Sequence, residues 1–469
     1  MTAWRLPALS ADDLPVALIF VALAGLALMA PPQPDTWTHL RTGKEIWDTG
    51  SIIQVERFSH TAEGRPWHNH EWLSQVLFYV AYALGGPFLL TLLAGGCALL
   101  AVAVSWRMMR AAYEWRLGLL LGLLLLITTA WSVRPQVFTL ALLMLAVHLV
   151  TSGRGAWMPP LVVLWANAHG GVLLGVVVAG VAALDALVWS PARRTRAMLV
   201  ALLCVLAPTL TPLGWHYWPR VAQTVVESRS VGIQEFRSSF EVAKVPFWIM
   251  LALLLGMTSR RWRELPSLEA GQRQWIVLAA VFGLAGTLSV RNVPPFALVA
   301  APAICMLARP APVRRRRDGG SPLVAAVVAC AAVVMTAVLG YRWYGGGVRL
   351  GWEPMSDTVV RAIRDCRGPL FNTFASGGTL LWFARDRQVF VDGRVEVYPT
   401  DFLQRSRNAD LDGTYEALFR DHDIRCAVVP TGSPMAEALA RDEWGAVRFG
   451  DARWLVFEKA ADGVPRPSG

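Results

Sequence analysis

The segment from Leu14 to Ala30 reads LPVALIFVALAGLALMA and ends at the helix-stopping sequence Pro31-Pro32-Gln33-Pro34. It contains no charged residue and approaches the roughly 20 residues that cross a bilayer as a helix. No small-residue cleavage site follows it, and the chain continues directly into a polar loop. The segment is therefore interpreted as an uncleaved membrane anchor rather than a signal peptide.

Nine further apolar runs follow this anchor. Two of them are too long for one ordinary span and could break at Gly85-Gly86-Pro87 and at His169-Gly170-Gly171. At about 20 residues per crossing, the runs predict an α-helical polytopic membrane protein with about 11–13 transmembrane helices in residues 1–345. The runs are Trp72–Trp106, Leu117–Val133, Gln136–Val150, Met158–Trp189, Met198–Leu213, Val245–Met257, Trp275–Val290, Val293–Leu307 and Leu323–Tyr341.

Composition agrees with a membrane protein: 54% of the 469 residues are hydrophobic, 17% are charged, and the mean hydropathy is +0.41. Disordered, collagen-like and disulfide-framework classes are excluded. Lys and Arg number 44 against 34 Asp and Glu, but residues 345–469 carry 16 basic and 18 acidic residues. The basic excess therefore lies in the apolar part, where it orients membrane spans and does not indicate nucleic-acid binding.

Arginine clusters in alternate loops orient the second half of the chain, because short cytoplasmic loops are enriched in Lys and Arg. The loops between them, Gly214–Lys244 and Arg291–Asn292, and everything after Gly345 then face outward, which is the periplasm for a bacterial inner-membrane protein. The first half stays open, because Arg107, Arg110 and Arg116 also appear cytoplasmic. The orienting clusters are Arg193-Arg194-Arg196, Arg260-Arg261-Arg263, and Arg309 with Arg314–Arg317.

Residues 355–460 form a segment of different character, in which charged residues recur and short β-rich runs alternate with helical ones. This pattern predicts a small outward-facing α/β domain. Phe390–Arg394 could be a structural turn or a ligand contact, and Cys366 and Cys426 could form a disulfide in an oxidising compartment. The β-rich runs are Pro369–Asn372, Gln388–Val391, Arg425–Val429, Val447–Phe449 and Arg453–Phe457.

The first outward loop, residues 32–71, is too long to be a passive connector. Trp37, Leu40, Lys44 and Trp47 recur at helical spacing, and Gly50 is a plausible helix end. The spacing predicts a short amphipathic helix in the membrane interface, with its tryptophans at headgroup depth.

Four polar residues of this loop are the candidate catalytic groups: Asp35, His39, His70 and Glu71. Asp35 could simply cap the helix, and Glu71 could be a favourable charge in the first turn of the next one. The same side chains could remove a proton from an acceptor, and Asp35, His70 and Glu71 could hold a divalent metal ion. The functional and structural interpretations are compatible.

Further polar residues interrupt or end the apolar runs. Individually, each suits an interfacial anchor or a local hydrogen bond; together they suggest a polar chamber at one membrane face. Charged residues deep inside the spans are nearly absent, which argues against a proton-coupled transporter. The candidates for substrate or phosphate binding are Arg134, Asn167, His169, His216, Arg237 and Arg291.

This arrangement resembles the GT-C class of membrane glycosyltransferases, which includes protein O-mannosyltransferases and the lipid A aminoarabinose transferase. The resemblance rests on Asp35 after the first helix and on His70-Glu71-Trp72-Leu73 at the start of the second. The sequence is also similar to a group of bacterial multi-span proteins with an Asp-x-Trp-x-His loop. It departs from many GT-C members in having Thr36, not a second acidic residue, after the loop Asp, and Glu71-Trp72 where prolines are usual.

The resemblance implies inverting transfer of a sugar from a polyprenyl-phosphate carrier to a glycan, lipid or protein. Asp35 would act as base or metal ligand, and cationic residues such as Arg134 and Arg291 would hold the phosphate. The expected partners are a lipid-linked sugar donor, one of these acceptors, and membrane lipids. Three alternatives remain open: a ligase or polymerase of lipid-linked glycans, a lipid or oligosaccharide flippase or transporter, and a noncatalytic scaffold.

Overall fold

The computed structural model describes residues 10–241, 244–308, 321–344, 350–442, 444 and 447–459. The chain divides into a helical unit (Met1–Pro31, Ala81–Tyr217 and Gln234–Gly351) and an α/β unit (Pro32–Val80, Trp218–Ile233 and Trp352–Gly469). The arginines of the third orienting cluster, Arg309 and Arg314–Arg317, lie outside the described residues, as does Gly345.

Among the described residues, the apolar runs form helices, and two further helices occur: α2 in the first loop and α9 in the Gly214–Lys244 loop. In chain order they are α1 (Leu14–Leu28), α2 (Pro34–Thr49), α3 (Trp72–Met108), α4 (Tyr113–Ile127), α5 (Gln136–Thr151), α6 (Met158–Ala168), α7 (Leu173–Trp189), α8 (Arg194–Leu206), α9 (Tyr217–Ser230), α10 (Val245–Arg260), α11 (Ala270–Leu288), α12 (Val293–Leu307) and α13 (Pro322–Tyr344).

Both predicted breaks are confirmed. α3 loses helical geometry at Gly85 and Gly86, where Gly86 has φ 61°, and Pro87 follows. The second long run divides into α6 and α7, and His169 at the division has extended backbone. Glycine tolerates the positive φ that the first break requires, and proline cannot donate the hydrogen bond that would continue the helix.

Among the described residues, five helical stretches are long and apolar enough to cross a membrane. The number is six if Pro191–Leu210 and Gly214–Ser230, bent by 111°, make one span. Shorter apolar helices include Gln136–Thr151 and Val245–Arg260. The chain is thus a polytopic α-helical membrane protein, as the sequence predicts.

α12 is the core helix of the helical unit, with nearly every residue buried. It is apolar on all sides, as expected of a helix enclosed by others. The Ser105 hydroxyl of α3 donates to the Leu298 carbonyl of α12 at 2.8 Å. A buried ion pair joins α11 to α7, with Arg273 Nε 2.7 Å from Asp185 Oδ1. Asp185 therefore has an internal partner, which suits a structural role.

The α/β unit contains a four-stranded sheet in the order β1-β2-β4-β3. β1 and β2 are parallel, whereas β4 is antiparallel to both β2 and β3. The predicted strand at Gln388–Val391 is wrong: Val389 forms only an isolated bridge, with Ser59 of the first loop. The elements are α14 (Asp357–Asp365), β1 (Leu370–Asn372), α15 (Gly377–Phe383), α16 (Thr400–Asp412), α17 (Glu416–Asp421), β2 (Cys426–Pro430), α18 (Pro434–Arg441), β3 (Val447–Gly450) and β4 (Trp454–Glu458).

The first loop and the C-terminal segment share one hydrophobic core. Phe58 and Trp67 of the loop are buried in the same cluster as Phe371 and Phe390 of the tail. Val389 N–H donates to the Phe58 carbonyl at 2.9 Å, which adds backbone pairing to the burial. The loop is therefore part of the α/β unit.

A disulfide joins Cys366, just after α14, to Cys426 at the start of β2. The two residues are 60 positions apart in sequence. Closing a loop of that length restricts the unfolded chain, and such a bond typically stabilises a fold by about 2–4 kcal/mol. The pairing that the sequence left open is thus present.

Asp410 of α16 is a carboxyl group that the fold keeps from water. Its Oδ2 accepts a hydrogen bond from Phe374 N–H at 2.9 Å, whereas its Oδ1 has no hydrogen-bond partner among the described residues. Burial raises the pKa of Asp410 to about 7. The folded protein therefore holds this proton more tightly than the unfolded chain does.

Because the pKa is raised on folding, the Asp410 contribution to stability is present below pH about 4 and is lost as pH rises towards 7. We expect Asp410→Asn, which mimics the neutral acid, to raise Tm relative to wild type at pH 8 much more than at pH 5. The corresponding change in relative stability is about 3 kcal/mol.

Thermal unfolding of the purified full chain, followed by tryptophan fluorescence at the two pH values, measures this effect. Asp412→Asn, an exposed carboxyl on the same helix, is the matched control. An equal Tm difference at both pH values for Asp410→Asn would contradict the assignment.

Candidate active site

α2 carries two of the predicted catalytic residues. Its N-cap is Gln33, whose backbone N–H donates to Thr36 Oγ1 at 2.9 Å. The prediction that Asp35 caps the helix is therefore wrong, because Gln33 and Thr36 form the capping box and Asp35 lies within the first turn. The predicted end is confirmed at Gly50, which has φ 65°.

The Asp35 carboxylate lies directly against the C-terminal segment of the chain. A Cβ built on Gly393 would be only 2.2 Å from Asp35 Oδ1, and Gly393 does not have a positive φ. Glycine leaves space here for the carboxylate, since any larger residue would require the Asp35 side chain to move. Gly393 therefore helps to determine where the Asp35 carboxylate can lie.

A buried ionic network holds the turn that contains Gly393. Arg394 Nε donates to Asp392 Oδ1 at 2.8 Å, and its Nη2 donates to Glu56 Oε1 at 3.0 Å. Tyr398 donates its hydroxyl to Asp392 Oδ2 at 3.1 Å. Burial lowers the pKa of Arg394, but the two carboxylates outweigh burial and hold it well above its ordinary value. The turn is thus anchored by its own side chains.

Glu71 lies between two imidazoles in the same unit. Its Oε2 is 4.0 Å from His39 Nδ1, and its Oε1 is 3.8 Å from His70 Nε2. All three side chains are largely buried. Asn69 accepts from the Glu71 backbone N–H at 3.3 Å, which fixes the start of α3. The structure therefore brings together three of the four predicted catalytic residues.

No group of three or more His, Cys, Asp or Glu side chains that could hold a metal ion occurs among the residues the structure describes. Asp35, His70 and Glu71, the set considered for a divalent metal ion, thus do not form a three-ligand cage.

The tryptophans of α2 do not share one environment. Trp37 is buried against Trp352, Trp382 and Phe383, with ring centroids at 5.5, 6.4 and 4.8 Å. Trp47 is 60% exposed. Trp37 is therefore covered by aromatic residues of the C-terminal segment, whereas Trp47 is accessible; that both lie at headgroup depth stays a prediction.

In the helical unit, charged and polar side chains gather where helices are interrupted. Arg134 precedes α5, and His169 lies between α6 and α7. Glu235 lies in a 3-10 turn before α10, and Arg291 lies in another between α11 and α12. Irregular backbone at these positions leaves polar groups that can serve a site.

Both ring nitrogens of His169 have close contacts. Nδ1 lies 2.9 Å from Gly171 N and 2.7 Å from the Thr139 hydroxyl oxygen. Nε2 lies 2.9 Å from Arg291 Nη2. Because a guanidinium nitrogen can only donate, Arg291 donates to Nε2 in the tautomer that carries its proton on Nδ1. The imidazole thus lies directly beside the Arg291 guanidinium.

Thr139 orients this imidazole. Its hydroxyl oxygen accepts from Trp165 Nε1 at 2.9 Å and lies 2.7 Å from His169 Nδ1. A Cβ on Gly171 would be 2.5 Å from Thr139 Oγ1. The close packing fixes the imidazole ring in position.

Arg134 forms a salt bridge and hydrogen bond with Glu235. Burial raises the pKa of Glu235, but Arg134 and Arg291 outweigh burial and hold it below its ordinary value. Glu235 is therefore ionised at neutral pH. The Arg291 guanidinium also lies 5.1 Å from the centre of the Phe236 ring.

The other predicted binding residues have different surroundings. Arg237 Nε donates to Glu241 Oε2 at 2.8 Å, and both side chains are about half exposed. Asn167 Nδ2 donates to the Val163 carbonyl one turn earlier, at 2.9 Å. His216 is exposed. Arg134, His169 and Arg291 are thus the predicted cationic and imidazole groups that interact with one another or with Glu235.

The sequence placed Gly393 only within a turn or ligand contact at Phe390–Arg394, and it gave no sign that this glycine adjoins Asp35 or that Glu235 pairs with Arg134. The glycine has no signal of its own, because its importance depends on Asp35, more than 350 residues away in sequence. Thr139 was missed for the same reason, since its partners lie on α6 and beyond. A single sequence cannot reveal such long-range contacts.

Comparisons with solved structures identify a shared fold. The chain is similar to ArnT from Cupriavidus metallidurans bound to undecaprenyl phosphate, with a TM-score of 0.53 and 15% identity over 97% of this chain and 100% of that one. It is also similar to the archaeal oligosaccharyltransferase AglB from Archaeoglobus fulgidus, in complex with an inhibitory peptide and a dolichol-phosphate. That TM-score is 0.51, with 12% identity over 90% of this chain and 70% of that one.

The chain therefore has the GT-C-like fold that the sequence predicts. No family model and no curated protein sequence matches it.

The contact between Gly393 and Asp35 can be tested without reference to function. We expect Gly393→Ala to destabilise the protein by about 1–3 kcal/mol, since the added methyl group meets a carboxylate beside an anchored turn. In an Asp35→Ala background the same change should cost much less, because the obstructing oxygen is absent. Denaturant unfolding of the four proteins measures this coupling.

Gly377→Ala is the matched control for this cycle. Its Cβ would lie 2.1 Å from the Val391 carbonyl oxygen, so Asp35→Ala should not relieve it. Equal costs for Gly393→Ala with and without Asp35 would show that the contact does not constrain the carboxylate.

Proposed function

We propose that this chain is an integral-membrane glycosyltransferase that transfers a sugar from a polyprenyl-phosphate carrier to a glycan, lipid or protein. The observation that carries the proposal is the cluster at the helix breaks of a GT-C-like fold, where the Arg291 guanidinium lies 2.9 Å from His169 Nε2. A guanidinium offers a phosphate what it requires, namely adjacent hydrogen-bond donors with positive charge.

The chemistry of a lipid-linked sugar donor explains why phosphate-binding side chains would lie at helix breaks. In a lipid-linked sugar the reactive sugar–phosphate bond lies at the headgroup plane, beyond the hydrocarbon. Charged residues are costly within the hydrocarbon but tolerated at its edge. Arg134, His169 and Arg291 are therefore proposed as the phosphate-binding groups, with Asn167, His216 and Arg237 as outlying candidates.

Asp35 is proposed as the general base. It would take a proton from the acceptor's hydroxyl or amine as that group attacks the anomeric carbon of the sugar. The bond from the anomeric carbon to the phosphate oxygen breaks, its electron pair leaves with the polyprenyl phosphate, and the configuration inverts. Arg134, Arg291 and His169 would stabilise the negative charge that develops on the departing phosphate.

Glu71, His39 and His70 are proposed to assist this proton transfer. Glu71 lies near enough to both imidazoles to share protons after small side-chain movements, at 4.0 and 3.8 Å. Apo geometry of this kind commonly tightens when substrate binds. The group could relay the proton away from the acceptor or orient the acceptor through hydrogen bonds.

The comparisons support the choice of donor. The ArnT structure contains undecaprenyl phosphate, and the AglB structure contains a dolichol-phosphate. Both ligands pair a long isoprenoid chain with a phosphate, the class of molecule proposed here. The likeness concerns the fold, so the donor and acceptor of this chain remain for experiment.

We further propose that the protein lies in a bacterial inner membrane with its C-terminal domain, residues 355–460, in the periplasm. The arginine clusters of the sequence support this orientation. The Cys366–Cys426 disulfide supports it independently, because such bonds persist in oxidising compartments and are rare in the cytosol.

A transfer assay tests the catalytic proposal. The purified protein receives undecaprenyl phosphate carrying a labelled sugar, together with envelope glycans, lipids and proteins as acceptors. We expect Asp35→Asn to lower the transfer rate about 100- to 10,000-fold, because the amide cannot accept the acceptor's proton. Glu71→Gln and His70→Ala should lower it less, since they act through Asp35 or the acceptor.

Asp48→Asn is the control, because Asp48 lies on the same helix and pairs with Lys44 at the surface. It should transfer at the wild-type rate. Full transfer by a correctly folded Asp35→Asn would eliminate Asp35 as the base.

Reporter fusions test the proposed orientation. Alkaline phosphatase fused at the C-terminus should be active, because it folds only outside the cytoplasm, whereas green fluorescent protein there should remain dark. The same reporters fused after Arg263, in the second arginine cluster, should give the opposite pattern. Fluorescence at the C-terminus would contradict the periplasmic assignment.

A further inference from the structure

Glu235 is a carboxylate that interacts with arginines to which the proposed function gives a phosphate-binding role. It pairs with Arg134, and both side chains are about 30% exposed, at 33% and 27%. Arg291 also acts on Glu235 electrostatically and helps to keep it ionised. One negative group of the protein thus interacts with two of the three proposed phosphate ligands.

The backbone around Glu235 is fixed to the helix break that carries Arg291. The Ser289 hydroxyl donates to the Glu235 carbonyl at 3.0 Å, and Val290 N–H donates to the Arg237 carbonyl at 2.9 Å. Ser239 N–H donates to the Thr287 carbonyl at 3.1 Å. The main chain cannot easily withdraw, so a change of partner for Glu235 would have to come from rotation of its side chain.

We propose that Glu235 is a resident counter-ion that the carrier phosphate must displace from Arg134 in order to bind. The inference rests on the proposed function and deepens it. A guanidinium offers a limited fork of donors, so a carboxylate already on it competes with an incoming phosphate. Because Glu235 is tethered beside Arg134, its effective concentration is high, and the competition is present at every encounter.

This arrangement has a consequence for turnover. After transfer, the polyprenyl phosphate product carries more negative charge than the sugar-linked donor and would be held strongly by Arg134 and Arg291. Return of Glu235 to Arg134 would oppose this retention and favour product release. Glu235 would therefore lower the affinity for the free carrier while keeping Arg134 neutralised between cycles.

Binding of undecaprenyl phosphate to the full-length protein in nanodiscs tests this directly, by titration without any sugar or acceptor. We expect Glu235→Gln to bind about tenfold more tightly than wild type, the change expected when one charged competitor of about 1.4 kcal/mol is removed. Product dissociation from this variant should be slower by a similar factor.

Glu264→Gln is the matched control. It removes the same charge from another connecting segment, where Glu264 lies 3.9 Å from Arg261, a residue to which no phosphate-binding role is assigned. Its affinity should equal that of wild type, which separates local competition from a change in overall charge. The same titration distinguishes failure of the counter-ion role from failure of the proposed function.

If wild type binds the carrier and Glu235→Gln binds no more tightly, or more weakly, the counter-ion role is overturned while the proposed function stands. Equal gains from Glu235→Gln and Glu264→Gln would overturn it too, because net charge would then explain both. If none of the three proteins binds undecaprenyl phosphate, the proposed function and the counter-ion role both fail.

Discussion

Charged groups cannot be placed cheaply in the hydrocarbon of a membrane, and the polar groups of the helical unit are arranged under this constraint. Arg134, His169, Glu235 and Arg291 all lie where helices are interrupted. The interruptions free backbone donors, such as Gly171 N–H, which lies 2.9 Å from His169 Nδ1. These four side chains thereby lie in short connecting segments of a largely apolar bundle.

In the α/β unit, the packing of the long first loop holds the Asp35 carboxylate in one place. Loops are usually mobile, but this loop buries Phe58 and Trp67 in the core of the C-terminal segment. The Glu56–Arg394 ion pair, fully enclosed, adds a strong geometric restraint. Asp35 then lies against Gly393 with no room for a side chain between them. The C-terminal segment thus supports the first loop and forms part of the surroundings of Asp35.

Local sequence signals predicted much of the fold. The apolar runs, the break at Gly86 and the helix end at Gly50 each depend on a few neighbouring residues, and all are present. Contacts with distant partners could not be predicted: Trp37 is buried by residues more than 300 positions away. The same holds for the candidate site. The polar residues at the helix breaks could be found from the sequence, whereas the pairing of Glu235 with Arg134 is visible only in the three-dimensional structure.

A cryo-electron microscopy structure with undecaprenyl phosphate bound would show whether the helix breaks of this GT-C-like fold bind the phosphate of a polyprenyl carrier, as proposed. We expect phosphate oxygens at about 2.7–3.0 Å from the Arg291 guanidinium and His169 Nε2, with Glu235 turned away from Arg134. A phosphate bound elsewhere, with the Arg134–Glu235 and Arg291–His169 contacts intact, would contradict it.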